Sequence, residues 1–319
     1  MTKEQLTSNV SFLTEPNQVI GLSMYVVLKI ESGDVVRLAD LDEPVRIELK
    51  NQFVSHLTAR LINNDDVHFG DISAATNLSN AIYFYDLEEV PQGLRILKDS
   101  IQQEERQAFS FAEDDFSKIE AFIFLIGNET RKIALYKKHY PISLIKRDSF
   151  IGLIKANTRF VRMNDDVIKI NNTFDFLQIG TELIVFNLGT LERFFGFHDI
   201  IKKEARARVD AIQRLNLVLD IQPLRILLEE PRYARKMLKT RRDSPVLTLP
   251  FDKIKRFAKR HPLLRGKLEY NETETRFVLS NRAVTILFLK LLDDDFLKSD
   301  LTKILYDSEV KDVLEPTQV

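Results

Sequence analysis

Glu182-Leu-Ile-Val-Phe-Asn-Leu-Gly-Thr-Leu-Glu-Arg-Phe-Phe195 is the stretch where the fold changes character. Up to Asn187 the chain carries short β-branched and aromatic runs separated by polar turns; beyond it, apolar residues recur with a period near 3.6. Before the switch, Leu22–Ile30, Val35–Leu38, Ala81–Leu87, Phe116–Gly127 and Arg131–Lys138 read as strands. Shorter strand-like pieces follow at Ser149–Ile154, Arg159–Arg162, Val167–Ile170, Phe174–Leu177 and Glu182–Asn187, with polar turns at 164–166 and 178–181. Val45, Leu49, Phe53, Leu57 and Leu61 recur every fourth residue and predict a helix over 43–62. A second, exposed helix is expected over 94–106, a polar lead-in over 1–18 and a loop over 64–80. After the switch, helices are predicted at 188–195, along a line of Ile201, Ala205, Val209, Ile212, Leu215 and Leu219, after Pro231, after Pro250, and over 282–292 and 302–314. Asp243-Ser-Pro245 ends the helix that begins at Pro231, and 267–279 reads as a hairpin around Asn271-Glu272. The expected class is α+β: a mostly antiparallel sheet with one or two helices over 1–187, then a mainly helical, basic half over 188–319.

Charge is sorted along the chain. Residues 200–267 hold 19 of the 46 Lys and Arg but only 7 of the 47 Asp and Glu, so a +12 block sits in a chain of net charge −1. Such a block creates a local field that the net charge hides. Arg232, Arg235, Lys236, Lys239 and Arg242 follow Pro231 at offsets 0, 3, 4, 7 and 10, one face of a helix, with Arg241 beside them. After Pro250, Ile254, Phe257, Ala258 and His261 form an apolar stripe opposite Lys255, Arg256, Lys259 and Arg260. These ten cations are the candidate phosphate-contacting residues for DNA. Like charges stacked four apart repel by a few tenths of a kcal/mol per pair, which an anionic partner relieves. Two other readings stay open: solvated helix faces, and a docking face for an acidic protein.

The chemistry of other classes is sparse. The chain has no cysteine, which excludes disulfides, thiolate metal sites and a cysteine nucleophile, and no phosphate-cradling glycine loop or nucleophile elbow occurs. Five histidines lack metal-ligand spacing. A metal-dependent nuclease needs acids beside a lysine on strands. Glu48-Leu-Lys50, with Asp40 or Asp42 upstream, falls in a predicted helix, and Asp166-Val-Ile-Lys169 has the wrong spacing. No catalytic residue, metal or cofactor is therefore expected. Tyr83 and Tyr85 share one strand face and are expected to pack rather than to stack on bases. No apolar run approaches the length of a membrane span, and the first residues lack the apolar core of a secretory signal.

The pattern L-L-D-D-D-F-L-x-S-x-L-T-x-x-x-Y over 291–306, which reads as a helix–turn–helix closing element, together with the 183–195 stretch, resembles the KwaB family, the soluble B protein of the Kiwa anti-phage system. The resemblance spans roughly residues 120–314 and its motifs are structural, so it transfers no functional residue. It implies a cytoplasmic defence protein, peripheral at the inner membrane through a multi-pass KwaA-like partner. It also implies a homodimer that binds phage DNA and hinders its replication or transcription.

Overall fold

The computed structural model describes residues 1–16, 18–75, 80–102, 106–140, 167–240 and 246–297, with the strand backbone of 144–145, 153–156, 159–162, 298 and 305–307. Two compact units divide the chain, Met1–Gly196 and Phe197–Val319.

The first unit is built on eight strands. They are β1 (Gly21–Ile30), β2 (Gly33–Leu38), β3 (His68–Asp71), β4 (Ala81–Phe84), β5 (Ile119–Gly127), β6 (Lys132–Lys138), β11 (Phe176–Ile179) and β12 (Glu182–Val185). Two short ladders intervene in sequence: β7 (Leu144–Ile145) pairs with β10 (Val167–Ile168), and β8 (Leu153–Ala156) with β9 (Arg159–Arg162). The sheet order is β2-β1-β5-β6-β11-β12-β4-β3, antiparallel throughout except for the parallel β3–β4 edge. Its centre is buried on both faces, which is why β1 and β5 read as continuous apolar runs rather than as alternations.

On one face Met24, Val26, Phe122, Phe124 and Leu135 meet Phe53, Leu57 and Leu61 of helix α2 (Glu43–Leu61). Phe53 lies 4.3 Å from Phe124, ring centre to ring centre. On the other face Phe195 packs on Tyr136 at 5.7 Å and on Phe176 at 5.3 Å. It follows helix α4 (Leu188–Phe194), which therefore belongs with the sheet. Burial pushes the Tyr136 phenol far above its usual range and lowers His56 and His139, in each case favouring the neutral form. Gly127 makes the β5–β6 turn with φ 157°; a Cβ there would lie 2.2 Å from the Arg131 carbonyl oxygen.

The turn from sheet to helix is held by one buried carboxylate. Asp175 accepts from the Lys138 backbone N–H at 2.8 Å, from Asn187 Nδ2 at 2.7 Å and from Thr190 Oγ1 at 2.8 Å. Asn187 in turn caps α4, its Oδ1 accepting from the Thr190 N–H at 3.2 Å. Replacing Asp175 by Ala strands three donors in a buried setting, and hydrogen bonds to a charged group are the strong ones. Urea denaturation should show a loss on the order of 3 kcal/mol. A loss below about 1 kcal/mol would mean the carboxylate is dispensable.

The second unit contains α5 (Phe197–Arg214), α6 (Gln222–Leu227), α7 (Pro231–Lys239), α8 (Phe251–Arg260) and α9 (Arg282–Leu292). A hairpin, β13 (Glu269–Tyr270) with β14 (Phe277–Val278), sits between α8 and α9. The α+β expectation holds, with five corrections. The lead-in folds as α1 (Lys3–Val10), closed by a Thr2–Gln5 capping box, and buries Leu6, Val10, Phe12 and Leu13. The expected loop at 64–80 contains β3 and a 3-10 turn, Ile72–Ala74. The helix expected to be exposed, α3 (Arg95–Gln102), buries Leu97 and Ser100. The buried line of α5 stops early. The helix ends at Arg214, Leu215 lies exposed in the turn that follows, and Asn216 takes the left-handed conformation, φ 55°, so the helical phase is lost and Leu219 faces solvent too. Where a helix was expected over 302–314, Leu305–Asp307 form strand β16, paired with β15 (Phe296–Lys298). This hairpin replaces the helix–turn–helix expected there. Residues 149–152, 164–166, 302–304 and 308–314, also given expectations above, lie outside the described residues.

Candidate phosphate-binding surface

Two basic helices follow one another in the second unit, each started by proline. Pro231 occupies the first position of α7, where a missing N–H costs nothing. Pro250 precedes α8, and Asp252 in its first turn and Lys259 and Arg260 in its last complement the helix dipole. Tyr233, Ala234, Met237 and Leu238 bury the packing face of α7, while Ile254 and Ala258 bury that of α8. Arg208 of α5 donates to the carbonyl oxygens of Met237, Leu238 and Thr240, closing the open end of α7.

The expected cations are not equally available. On α7, Arg232 is exposed and stacks 4.3 Å from the centre of the Tyr233 ring. Arg282 lies over the same ring at 5.4 Å and is clamped by Glu230, which its guanidinium holds below the usual carboxylate range. Arg235 and Lys239 are half-buried, and both are engaged by other groups. Lys236 points inward, 2.9 Å from Asp293 Oδ2 and 2.5 Å from Asp295 Oδ2. Burial works against its charge, but Asp295 and Asp293 together raise its pKa above the usual lysine value. Arg241 and Arg242 lie outside the described residues.

On α8 the basic residues divide into two rows. Lys255 and Lys259 turn toward the tip of the β13–β14 hairpin, where Lys259 Nζ lies 2.8 and 2.7 Å from the two oxygens of Glu274. Lys255 donates to the Glu274 backbone oxygen at 3.0 Å. Arg256 and Arg260 are exposed and have no carboxylate partner among the described residues. Lys253 shares their state, and the spacing 253, 256, 260 puts all three on one ridge opposite Ile254 and Ala258. Arg265 and Lys267, exposed and likewise unpaired among the described residues, follow just beyond the helix. Phe257, expected on the buried stripe, is 39% exposed beside the ridge.

Sequence reasoning missed Lys253, although its spacing to Arg256 and Arg260 gives it away. Glu274, Asp293 and Asp295 left no comparable signal of which lysines they would meet. The nuclease alternative gains nothing. Glu48 accepts from Gln52 and Lys50 donates to the Ile20 carbonyl oxygen, both on α2. Among the described residues no three His, Asp or Glu side chains converge as metal ligands. Tyr83 and Tyr85 are buried, as expected of packing residues.

The family model described as Kiwa protein KwaB-like matches residues 116–302, more than half of the chain. The chain belongs to the KwaB family. A curated KwaB, the Kiwa protein KwaB of Escherichia coli O55:H7 (strain RM12579 / EPEC), is 24% identical over 319 residues, covering 99% of this chain and 100% of that one. No solved structure matches. The KwaB match runs from the start of the central strand β5 through α9, so both basic helices and the Asp175 cluster lie within it.

Proposed function

We propose that this KwaB-family chain is an anti-phage defence effector that binds DNA without sequence preference. In this reading Lys253, Arg256 and Arg260 grip backbone phosphates, with Arg265 and Lys267 extending the contact. The observation that carries it is the ridge itself: three guanidinium or ammonium groups aligned on one helix face, exposed, and unpaired among the described residues. Arginine and lysine on a helix meet phosphate through charge-assisted hydrogen bonds, and such contacts position a protein on nucleic acid without reading bases. Arg232, on α7, is the expected cation there that remains exposed and joins the same reading. Arg235, Lys236 and Lys239, partly or wholly committed inside the unit, contribute to the field more than to contact. The chain works with a KwaA-like multi-pass membrane protein, which holds it at the inner membrane as a homodimer. Bound DNA is thereby kept from replication or transcription. Membrane attachment in this reading comes from that partner; no helix among the described residues is long and apolar enough to cross a bilayer.

Five to six neutralised phosphates imply a slope of log affinity against log salt of about −4.5 to −5.5 on duplex DNA. A titration of the purified chain with an unrelated-sequence 30-base-pair duplex between 50 and 300 mM NaCl measures it. Binding that is flat across that range sinks the reading. The membrane half is checked separately, by sedimenting the chain with membranes from cells that do or do not express the partner.

A further inference from the structure

The lysine row of α8 is occupied by the protein's own acid, and the way that acid is delivered is unusual. Glu274 has φ 49°, the left-handed region that side chains with a Cβ seldom adopt. The hairpin tip holds it there. Its N–H donates to the Asn271 carbonyl oxygen at 2.8 Å, and Asn271 Oδ1 accepts from the N–H groups of Thr275 and Arg276 at 2.8 and 2.9 Å. Asn271 Nδ2 adds bonds to the Thr273 and Thr275 hydroxyls. A turn this tightly tied aims one carboxylate at two ammonium groups. Lys259 bonds both of its oxygens, and Lys255 lies 3.8 Å from Oε2, sharing its charge with the exposed Asp252 at 3.3 Å, a pair that yields to phosphate as readily. Aromatic faces steady the two lysines: Lys259 over Tyr270 at 5.3 Å and Lys255 over Phe251 at 5.8 Å. The side chains of Glu274 and Lys259 are half exposed, at 50% and 46%. Exposed pairs of this kind gain little and exchange readily with other anions.

Resting on the DNA-binding reading, we infer that Glu274 is a resident stand-in for phosphate. It occupies Lys255 and Lys259, limits the grip of α8 to the Lys253–Arg256–Arg260 ridge, and yields two further phosphate contacts when it is displaced. The geometry accounts for the strain at the tip: a left-handed, non-glycine residue is retained where glycine would sit more easily, because the carboxylate has a task. It also sets the regulation. Anything that draws the hairpin tip away from α8, or neutralises Glu274, converts a moderate polyanion binder into a tighter one.

The test uses the full chain with Glu274→Gly and Glu274→Gln. The glycine variant removes the carboxylate while relieving the positive φ, so its thermal midpoint should not fall. Fluorescence anisotropy with the 30-base-pair duplex should show a salt slope steeper by about 1 to 2 in both variants. Between 50 and 200 mM salt their affinity then falls roughly four- to sixteenfold more than that of the unaltered chain. Adding Lys255→Met and Lys259→Met to Glu274→Gly should return the slope to the original value. If the unaltered chain binds with a salt-dependent affinity and both Glu274 variants reproduce its slope, the stand-in role is wrong and the ridge reading survives. If neither the unaltered chain nor the Glu274 variants bind, both are wrong.

Discussion

Replacing Lys253, Arg256 and Arg260 together by Gln should lower duplex affinity by roughly 10³-fold at 50 mM salt and make the salt slope shallower by about 3. Each phosphate contact contributes about 0.9 to that slope, which amounts to about one decade of affinity between 1 M and 50 mM. All three side chains are exposed, and glutamine is a good helix former, so the thermal midpoint should stay within a degree or two. That separates the effect from misfolding. A matched variant in the first unit, Lys29, Arg46 and Arg131 to Gln, removes three cations that are already paired with Asp34, Glu43 and Glu15. It changes net charge equally and should leave the slope nearly unaltered. Equal losses from both triple variants would reduce the ridge to a contribution from net charge alone. The prediction is specific to direction: the loss must be the same for unrelated duplex sequences, because phosphates carry no sequence information.

Why the two basic helices could be read in the sequence, and which of their cations stay free could not, follows from distance along the chain. Helical period is local, so the faces of α7 and α8 were legible from Pro231 and Pro250 onward. Which cations stay free depends on acids brought in by the fold. Asp293 lies 57 residues from Lys236, and Glu274 lies 15 from Lys259. The same rule divides the fold. β1 and β5 are buried on both faces and announce themselves as apolar runs. The β15–β16 hairpin places Leu297 opposite Tyr306 through pairing that no local pattern encodes, and Leu305–Asp307 reads as helix in isolation. Leu215 and Leu219 continue the α5 period on paper; one left-handed residue, Asn216, ends it. In α1, Leu6 and Val10 sit four apart in a polar setting, and their burial is decided by the sheet they meet.

Lys236→Met should be the most destabilising change to a candidate cation, costing about 3–5 kcal/mol in a urea titration of the full chain. The side chain is 12% exposed, Asp293 is 9% and Asp295 is fully buried. Removing the ammonium leaves two neighbouring carboxylates desolvated without their shared countercharge, a worse state than never having had the pair. Exposed Arg256→Gln, by contrast, should stay within about 0.5 kcal/mol. The difference turns an electrostatic map into a measurable division between the inward-facing lysine of α7, buried against two carboxylates, and the outward cations of α8, which face solvent. Two checks constrain this. Lys236→Met combined with Asp295→Leu should recover part of the loss, because apolar replacement of a buried pair is often neutral while Asp293 still lacks the ammonium. The pH dependence has a fixed sign as well. With the folded pKa of Lys236 above the unfolded value near 10.5, its contribution is complete below that value and disappears as pH rises through the folded pKa. The unaltered chain should therefore lose stability above about pH 10.5 more steeply than the double variant. An unchanged midpoint in Lys236→Met would instead return Lys236 to the surface as a free phosphate ligand.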